Sequence, residues 1–263
     1  MSLSVEQYIQ LVIEKTGAAL PADTVDTLKC GDPKAVVTGA ATTFMATRSV
    51  LERAAALGTN LDITHEPTFY NHLDQVDWLT HDKVYQEKSR FIKEKGLAVW
   101  RFHDGWHSTA QDGILQGMLE QLGWLEYQTT SGSRMLKFPQ WTARQIALTA
   151  KEKLGLEMVR LAGEPEVLCG QVSFLAGAWG GRRQMQDLQT LGVRAVVCGE
   201  SPEWETCEYV RDASAQGNPL ALVVLGHAPS EESGMAHLAL QLKKLIPEVP
   251  ACFIPAGNPF QIL

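Results

Sequence analysis

The chain has 263 residues, of which 45% are hydrophobic and 20% charged, and its formal net charge is −7 at pH 7. Because single cores stop growing near ~250–300 residues, this length predicts one large or two modest domains of a globular protein. The acidic balance disfavours nucleic acid as a partner, and no apolar stretch reaches the roughly 18 residues of a membrane span, so we expect no membrane partner either.

The start of the chain and its cysteines indicate the compartment. Residues 1–19 lack a basic segment followed by an apolar core, so we expect no secretory signal peptide and a cytoplasmic location. The five cysteines are scattered and have no C-x-x-C spacing. This pattern argues against a disulfide framework and against a zinc ribbon, and it predicts reduced thiols.

Hydrophobic periodicity in the first half predicts alternating strands and helices, with Ser4 as the cap of the first helix. In chain order these elements are helix 5–16, strand 35–39, helix 44–57, strand 61–64, helix 78–95, strand 97–102 and helix 112–122. Strand 61–64 brings His65 and Glu66 to its carboxyl end, and strand 97–102 leads into His103. Alternation of this kind is typical of a parallel α/β sheet.

The second half resembles a repeat of the first. Residues 129–133 are small and polar without periodicity, which predicts a boundary near 130 between lobes 1–130 and 131–263 that can exchange elements. The later strands are predicted at 172–176, 195–198 and 222–225. The glycines at 177, 180 and 181 follow the first of these strands without the Lys-Ser/Thr of a phosphate-binding loop, so they predict a tight strand-to-helix turn.

Two pairs of corresponding segments in the halves predict an internal duplication. Strand 195–198 aligns with strand 61–64, which pairs Glu66 with Glu200. Further on, the strand that leads into His103 has its counterpart in the strand that leads into His227. Two such correspondences in the same order favour two similar α/β lobes. We expect a metal site at the interface of these lobes.

Three short segments supply the candidate metal ligands: T-H-E-P, H-D-G-W-H and G-H-A-P-S-E. The six donors are His65, Glu66, His103, His107, His227 and Glu231. The carboxyl ends of parallel strands line the crevice of an α/β sheet, and donors four apart share one face of a helical turn. Nitrogen and carboxylate donors in this pattern suit one or two divalent ions of Zn, Fe, Mn, Co or Ni.

Each segment alone also has a simpler interpretation, because a single histidine at a strand end is more often a surface residue than a ligand. The joint pattern of four histidines at equivalent positions favours ligands. His72, His81 and His237 lack that context and are expected to be solvated. Trp100 and Trp106 fit a pocket wall that stacks on a planar base as well as they fit the core.

Family motifs occur along most of the chain. The T-H-H-P motif of the Nif-three-like family corresponds to residues 64–67, its G-H-x-x-[ST]-E block is intact at 226–231, and residues 258–260 read Asn-Pro-Phe as in that family. The sequence therefore resembles Nif-three-like proteins, many of which carry the name type 2 GTP cyclohydrolase I. The resemblance implies a dinuclear metal centre, a small-molecule substrate and a toroidal homohexamer.

Two donors depart from the family pattern. Glu66 stands where the second histidine of T-H-H-P is expected, and His107 stands where the middle motif has an aspartate. Each change replaces one competent ligand with another, so donor number and charge are nearly conserved. The resemblance assigns the bridging carboxylate to one residue and divides the others between two metals: Glu231 bridges, His65 and His107 complete one metal, Glu66 and His227 complete the other, and His103 lies close by.

Three functions remain open from the sequence. The first is a metal-dependent hydrolase, similar to GTP cyclohydrolase, in which metal-activated water attacks a nucleotide or related small molecule. The second is a non-catalytic metal-binding or scaffold protein, such as a metal chaperone or an interaction module. The third is a protein whose changed motifs no longer hold metal. The sequence is therefore compatible both with an enzyme, which would be a metal-dependent hydrolase, and with a non-catalytic protein.

Overall fold

The computed structural model describes residues 2–263 and contains two five-stranded mixed sheets. The helices are α1 Val5–Thr16, α2 Arg48–Ala56, α3 Lys83–Glu94, α4 Asp104–His107, α5 Gly113–Leu122, α6 Ala143–Lys153, α7 Gly181–Leu188, α8 Glu208–Ala215 and α9 Glu232–Leu245. The strands are β1 Leu28–Cys30, β2 Ala40–Thr43, β3 Leu61–Thr64, β4 Ala98–Arg101, β5 Met135–Thr142, β6 Arg160–Gly163, β7 Leu168–Leu175, β8 Val193–Cys198, β9 Ala221–Val224 and β10 Ala251–Phe253.

The chain divides into two compact units. The first comprises the residues up to Ile114 together with Gly234–Ala256, and the second comprises Leu115–Ser233 with Gly257–Leu263. The order of strands in the first sheet is β1-β4-β3-β2-β10, so the last strand of the chain pairs with β2. The order in the second sheet is β5-β7-β8-β9-β6. The boundary near residue 130 stays a prediction.

Four strands of each sheet share one topology, which confirms the expectation of two similar α/β lobes. In each sheet three successive strands are parallel, namely β2, β3 and β4 in one and β7, β8 and β9 in the other. An earlier strand then pairs antiparallel with the third, β1 with β4 and β6 with β9. The register also repeats, because Leu61–Thr64 pair with Ala98–Arg101 as residues 195–198 pair with Ala221–Val224.

Local sequence signals explain several element ends. The Ser4 hydroxyl accepts a hydrogen bond from the Gln7 amide, and the Gln7 side chain accepts one from the Ser4 amide, so α1 begins with the predicted cap. Helix α3 begins at Lys83, after the predicted start, because the Asp82 carboxylate caps it by accepting from the Tyr85 amide. Helix α2 likewise begins after Thr47, whose hydroxyl accepts from an amide of the first turn.

The predicted strand at 35–39 is wrong. Val36 forms only an isolated bridge with Ser4, and it is 51% exposed. The strand begins instead at Ala40, and β2 is completely buried between β3 and β10. Small alanine and threonine side chains fit this crowded central position, whereas the β-branched run lies outside it. Burial has outweighed the local preference for extended structure.

Strands β1, β5, β6 and β10 were not predicted. Strand β5 contains Pro139, which sequence rules exclude from central strands. It lies at the edge of its sheet and shifts register between Lys137 and Trp141, so a residue without an amide proton is tolerated there. Across residues 2–263, no helix is both long and apolar enough to cross a membrane. All five cysteines are free, as expected.

One buried ionisable side chain in the first core is unusual. Asp62 lies on the central strand β3 and is completely buried, and within residues 2–263 neither of its carboxylate oxygens has a hydrogen-bond partner. Its register partners, Ala41 and Val99, belong to apolar clusters that include side chains of α2 and α3. Burial raises the pKa of Asp62 to about 8. At neutral pH this side chain is therefore largely a neutral acid in the core.

Replacing Asp62 by asparagine should remove a pH dependence of stability. The folded protein keeps a proton at Asp62 that the unfolded chain releases above the ordinary aspartate pKa, so stability falls as pH rises from about 4 towards 8. We expect the unfolding equilibrium constant of the Asp62→Asn variant, relative to the parent, to fall by up to about tenfold per pH unit in that window. Urea unfolding at several pH values measures this ratio.

The matched control for this substitution is Asp23→Asn, which changes an exposed aspartate in the same unit. It should leave the pH profile of stability unchanged. Parallel pH profiles of the parent and the Asp62→Asn variant would contradict a buried, protonated carboxyl group.

Candidate metal centre

Donors in the first unit follow two neighbouring parallel strands. His65 and Glu66 come directly after β3, and His103 lies two residues beyond β4. Strands β3 and β4 pair in parallel up to Thr64 and Arg101, so these donors emerge at the same edge of the sheet. The sequence prediction that strand ends present the donors is met by this topology.

Three imidazoles cluster at this edge. His65 is completely buried, and its ring stacks on that of His103 with 4.6 Å between centroids. The His107 ring lies 5.0 Å from each of the other two. One nitrogen from each ring lies within 4.8 Å of the others, a separation that permits all three to bind one ion. This set is a candidate metal-ligand group.

A carboxylate orients each of the two outer rings. Nδ1 of His103 lies 2.9 Å from Oδ1 of Asp104, and Nδ1 of His107 lies 2.8 Å from Oδ2 of Asp112. An Nδ1 that donates to a carboxylate carries the proton, so Nε2 of that ring has the lone pair that binds a metal. No sequence motif pointed to Asp112, which directly precedes α5 and accepts from the Ile114 amide.

Asp26 holds the turn that carries His103 and His107. Its two carboxylate oxygens accept hydrogen bonds from three consecutive amides, those of residues 103, 104 and 105, at 2.7, 3.0 and 2.7 Å. The amide of His107 in turn donates to the carbonyl of His103, which closes one helical turn and places the two rings on one side. Asp26 is far from this turn in sequence and belongs to no motif, so sequence patterns do not indicate its role.

The electrostatics of the cluster keep His103 neutral. Burial, together with the neighbouring rings of His65 and His107, lowers the pKa of His103 to about 4, although Asp104 and Glu66 oppose this shift. Burial acts against ionisation of Asp104, but hydrogen bonds from His103, Thr24 and the backbone outweigh it and lower the pKa of Asp104. A neutral imidazole beside an ionised carboxylate is the form that binds a divalent metal.

Glu66 lies against the same cluster. Its Oε1 is 3.9 Å from Nε2 of His103, and its Oε2 is 3.3 Å from Nη2 of Arg101. The Arg101 side chain is completely buried and also donates from Nε to the carbonyl of His65. Arg101 therefore fixes the segment that carries both His65 and Glu66.

The second unit presents two further candidate donors. His227 lies beyond β9, and its Nε2 is 3.2 Å from Oε2 of Glu231, four residues later. Its Nδ1 is 2.9 Å from Oε1 of Glu200, which follows the neighbouring parallel strand β8. Glu200 thus has the orienting position that Asp104 and Asp112 have in the first unit. The alignment of Glu200 with Glu66 predicted its place after the strand but not this contact.

Gly177 makes close packing around this pair feasible. It follows β7, has a φ of +71°, and its amide donates to the Ser230 hydroxyl. A Cβ atom at this position would collide with Oε1 of Glu231 and lie 3.2 Å from Nε2 of His227. The glycine-rich segment is therefore a tight turn, as predicted, and it also forms one wall of the donor pair.

Two of the three histidines that were expected to be solvated have close neighbours instead. The carbonyl of His72 accepts from Arg101 and its ring lies 6.4 Å from that of His103, so this histidine borders the cluster. His237 is half-buried against the ring of Trp106. Of the three histidines expected to be solvated, only His81 has no such neighbour among the described ring contacts. Trp100 and Trp106 are buried, which agrees with the core interpretation.

The fold and the histidine cluster define a mixed α/β protein with a candidate metal-ligand group. Residues 9–259 match the family described as Duf34/NIF3 (NGG1p interacting factor 3), and the chain belongs to this family. A relative named GTP cyclohydrolase 1 type 2 homolog, from Clostridium perfringens, is 22% identical over 214 residues, which cover 78% of this chain and 77% of the relative.

Solved structures show the same fold. A Bacillus cereus protein related to NIF3 superposes with a TM-score of 0.77 at 14% identity and covers 100% of this chain and 99% of its own. The Staphylococcus aureus protein SA1388 superposes with a TM-score of 0.74 at 17% identity, with 100% of each chain covered. The resemblance inferred from the sequence motifs is thereby confirmed at the level of family and fold.

A substitution at Gly177 should destabilise the protein more than backbone strain alone. In Gly177→Ala the new Cβ must displace the Glu231 carboxylate, in addition to the cost of a positive φ. Gly217→Ala is the matched control, because Gly217 has a φ of +79° and no described atom lies within 4 Å of the place its Cβ would take. We expect the control to cost about 1–2 kcal/mol and Gly177→Ala clearly more, as measured by urea unfolding. Equal losses would show that Glu231 moves aside freely.

Proposed function

We propose that this protein is a metal-dependent hydrolase of the Duf34/NIF3 family that acts on a nucleotide or a related small molecule. The observation that carries the proposal is the histidine cluster of His65, His103 and His107, in which carboxylates hold Nδ1 of the two outer rings. Histidines oriented in this way are typical of metal ligands, and three protein ligands leave a coordination position for water. The substrate class rests on the relative named GTP cyclohydrolase 1 type 2 homolog.

The residues of the first unit fit a divalent metal. Burial keeps the His103 ring neutral, so a metal does not have to displace a proton from it at neutral pH. Asp104 and Asp112 hold the protons of their partner rings at Nδ1, which directs each Nε2 lone pair outward from the carboxylate. Glu66 adds a carboxylate that Arg101 keeps in place.

The second unit offers two further donors. Glu231 is 3% exposed, and its carboxylate faces Nε2 of His227. We include both residues, so the proposed ligands number six: His65, Glu66, His103, His107, His227 and Glu231. Mixed imidazole and carboxylate ligation accepts one or two ions of Zn²⁺, Fe²⁺, Mn²⁺, Co²⁺ or Ni²⁺. The division of these ligands between two ions stays a prediction, as do the homohexamer and the cytoplasmic location.

The chemistry follows from these roles. A bound divalent metal supplies a water of lowered pKa and polarises the bond under attack. The chain's own carboxylates act in support, because Asp104, Asp112 and Glu200 keep their partner imidazoles oriented. Glu66, whose Oε1 lies 3.9 Å from Nε2 of His103, is the carboxylate of the first unit that is placed to accept a proton at the cluster.

A non-catalytic metal-binding protein is the second candidate. The observation that favours it is the complete burial of His65, which limits the access of water and substrate to that side of the cluster. A catalytic metal needs an open coordination position, whereas a closed set of protein ligands is typical of structural or storage sites. The two candidates therefore differ in whether metal-loaded protein turns over a substrate.

Substitution of the proposed ligands should lower the metal content. We expect His103→Ala, His227→Ala and Glu231→Gln each to reduce the metal per chain, measured by inductively coupled plasma mass spectrometry on untagged protein purified without chelator. The Asp112→Asn variant keeps His107 but weakens its orientation, so metal affinity should fall about 10–100-fold.

His81→Ala provides the control, because His81 is exposed and is not among the proposed ligands. Its metal content should equal that of the parent. Unchanged metal in all three ligand variants would remove these residues as ligands. Absence of metal from the parent, even after incubation with Zn²⁺, Mn²⁺ and Fe²⁺, would instead indicate that the changed motifs no longer hold a site.

Turnover separates the hydrolase from the scaffold. We expect the metal-loaded protein to hydrolyse one or more of a panel of nucleotides and phosphoesters, and a chelator to abolish this activity. Readmission of the metal should restore it, and Glu231→Gln should lower kcat/KM at least about tenfold if Glu231 touches the metal. Full metal occupancy without turnover of any compound would favour the non-catalytic alternative.

A further inference from the structure

The first unit contains a cavity of about 900 Å³ that none of the proposed metal ligands lines. Its walls come from three segments: strand β1 with the turn after it, one face of α3, and the loop 69–76. Strand β1 is the edge of its sheet, so this cavity opens beside a strand with only one neighbour in the described sheet. A volume of this size accommodates a small organic molecule.

The loop wall is held in one conformation by its own hydrogen bonds. The Asn71 side chain donates to the carbonyls of Phe69 and Gln75 and accepts from the Gln75 amide. Oδ1 of Asp74 accepts from the Phe69 amide at 2.6 Å. The cavity is therefore preformed, and a ligand does not have to order this loop.

Both signs of charge line the cavity. Nζ of Lys29 lies 3.5 Å from Oδ2 of Asp74, at the outer limit for a hydrogen bond, and the two side chains are only 8% and 4% exposed. Burial lowers the pKa of Lys29, although the charge of Asp74 opposes this shift. Within the described chain, Oδ2 of Asp74 has no hydrogen-bond partner besides this ion pair, and the buried hydroxyl of Ser89 on the α3 wall has none. Each of these groups retains capacity for a ligand.

The remaining walls are apolar. Phe69 and Tyr85 meet edge to face with 5.1 Å between ring centroids, and Leu73 and Ile92 add aliphatic surface. A purely anionic ligand would bring a negative charge beside Asp74, and a purely cationic one would bring a positive charge beside Lys29. A ligand that carries both charges satisfies both side chains, and an apolar group on it fits the other walls.

We propose that this cavity binds a free amino acid with an apolar side chain, whose carboxylate pairs with Lys29 and whose ammonium pairs with Asp74. The two new contacts replace one internal contact of poor geometry, and the Ser89 hydroxyl gains a partner in the carboxylate. The apolar side chain lies against Phe69, Tyr85 and Leu73. The proposal is independent of the metal centre, because the cavity and the proposed metal ligands have no residue in common.

The test is a titration of the full chain with L-leucine and L-phenylalanine, followed by isothermal calorimetry and by amide NMR shifts. We expect saturable binding, with the amide signals of Lys29 and Asp74 among those that move. Two analogues of leucine each lack one charge: 4-methylpentanoate has no ammonium, and 3-methylbutylamine has no carboxylate. Each should bind at least about tenfold more weakly, the scale of one lost charge-assisted hydrogen bond.

Variants then test which side chain binds each charge of the ligand. Lys29→Met and Asp74→Asn should each weaken leucine binding about tenfold or more. Lys244→Met and Asp23→Asn are matched controls, because they make the same changes at exposed positions of the first unit outside the cavity, and they should bind as the parent does. The analogue titrations use the unchanged protein. They therefore test whether both ligand charges contribute to binding even where a variant of the buried pair fails to fold.

Three results would overturn the proposal. The first is no saturable response to either amino acid at about 10 mM, a concentration that detects millimolar binding. The second is equal affinity for leucine and for an analogue that lacks one charge. The third is binding whose NMR shifts lie away from the cavity and that the Lys29→Met and Asp74→Asn variants leave unchanged.

Discussion

Parallel pairing between neighbouring strands determines where every candidate donor lies. Strands β3 and β4 run in the same direction and end together, so the residues that follow them emerge at one edge of the first sheet. Strands β8 and β9 repeat this register in the second sheet, and Glu200 and His227 emerge there in the same way. Since crossover connections return each strand to the same direction, sequence separation does not matter to this convergence.

Carboxylates stabilise the donors at both edges. In each unit a histidine with one ring nitrogen on a carboxylate has its other nitrogen positioned for a ligand, with Asp104 and Asp112 in the first unit and Glu200 in the second. Such partners fix the tautomer and raise the basicity of the ring as a ligand. The same arrangement therefore recurs in two units whose sheets share the order of four strands.

The sequence predicted features that depend on neighbouring residues, and it missed those that depend on distant ones. Strand 61–64 and the cap at Ser4 were correct because hydrophobic periodicity and capping are local. The candidate donors could be named because their segments follow strands, and their role as ligands stays a prediction. Strand 35–39 was wrong, and Asp26 was missed, because burial against other strands and hydrogen bonds across the chain are decided only by the tertiary fold.

Arg101 illustrates why sequence patterns do not predict the contacts that hold the candidate ligands in place. It ends an apolar strand, yet its guanidinium is completely buried, a position that costs several kcal/mol, about the cost of one desolvated ion, unless the charge is well paired. The carbonyls of His65 and His72 and the carboxylate of Glu66 supply that pairing. All three acceptors lie in the segment after β3. The burial of Arg101 is therefore tolerated only when this segment takes the conformation that presents His65 and Glu66, so one buried charge and the candidate ligands stabilise each other.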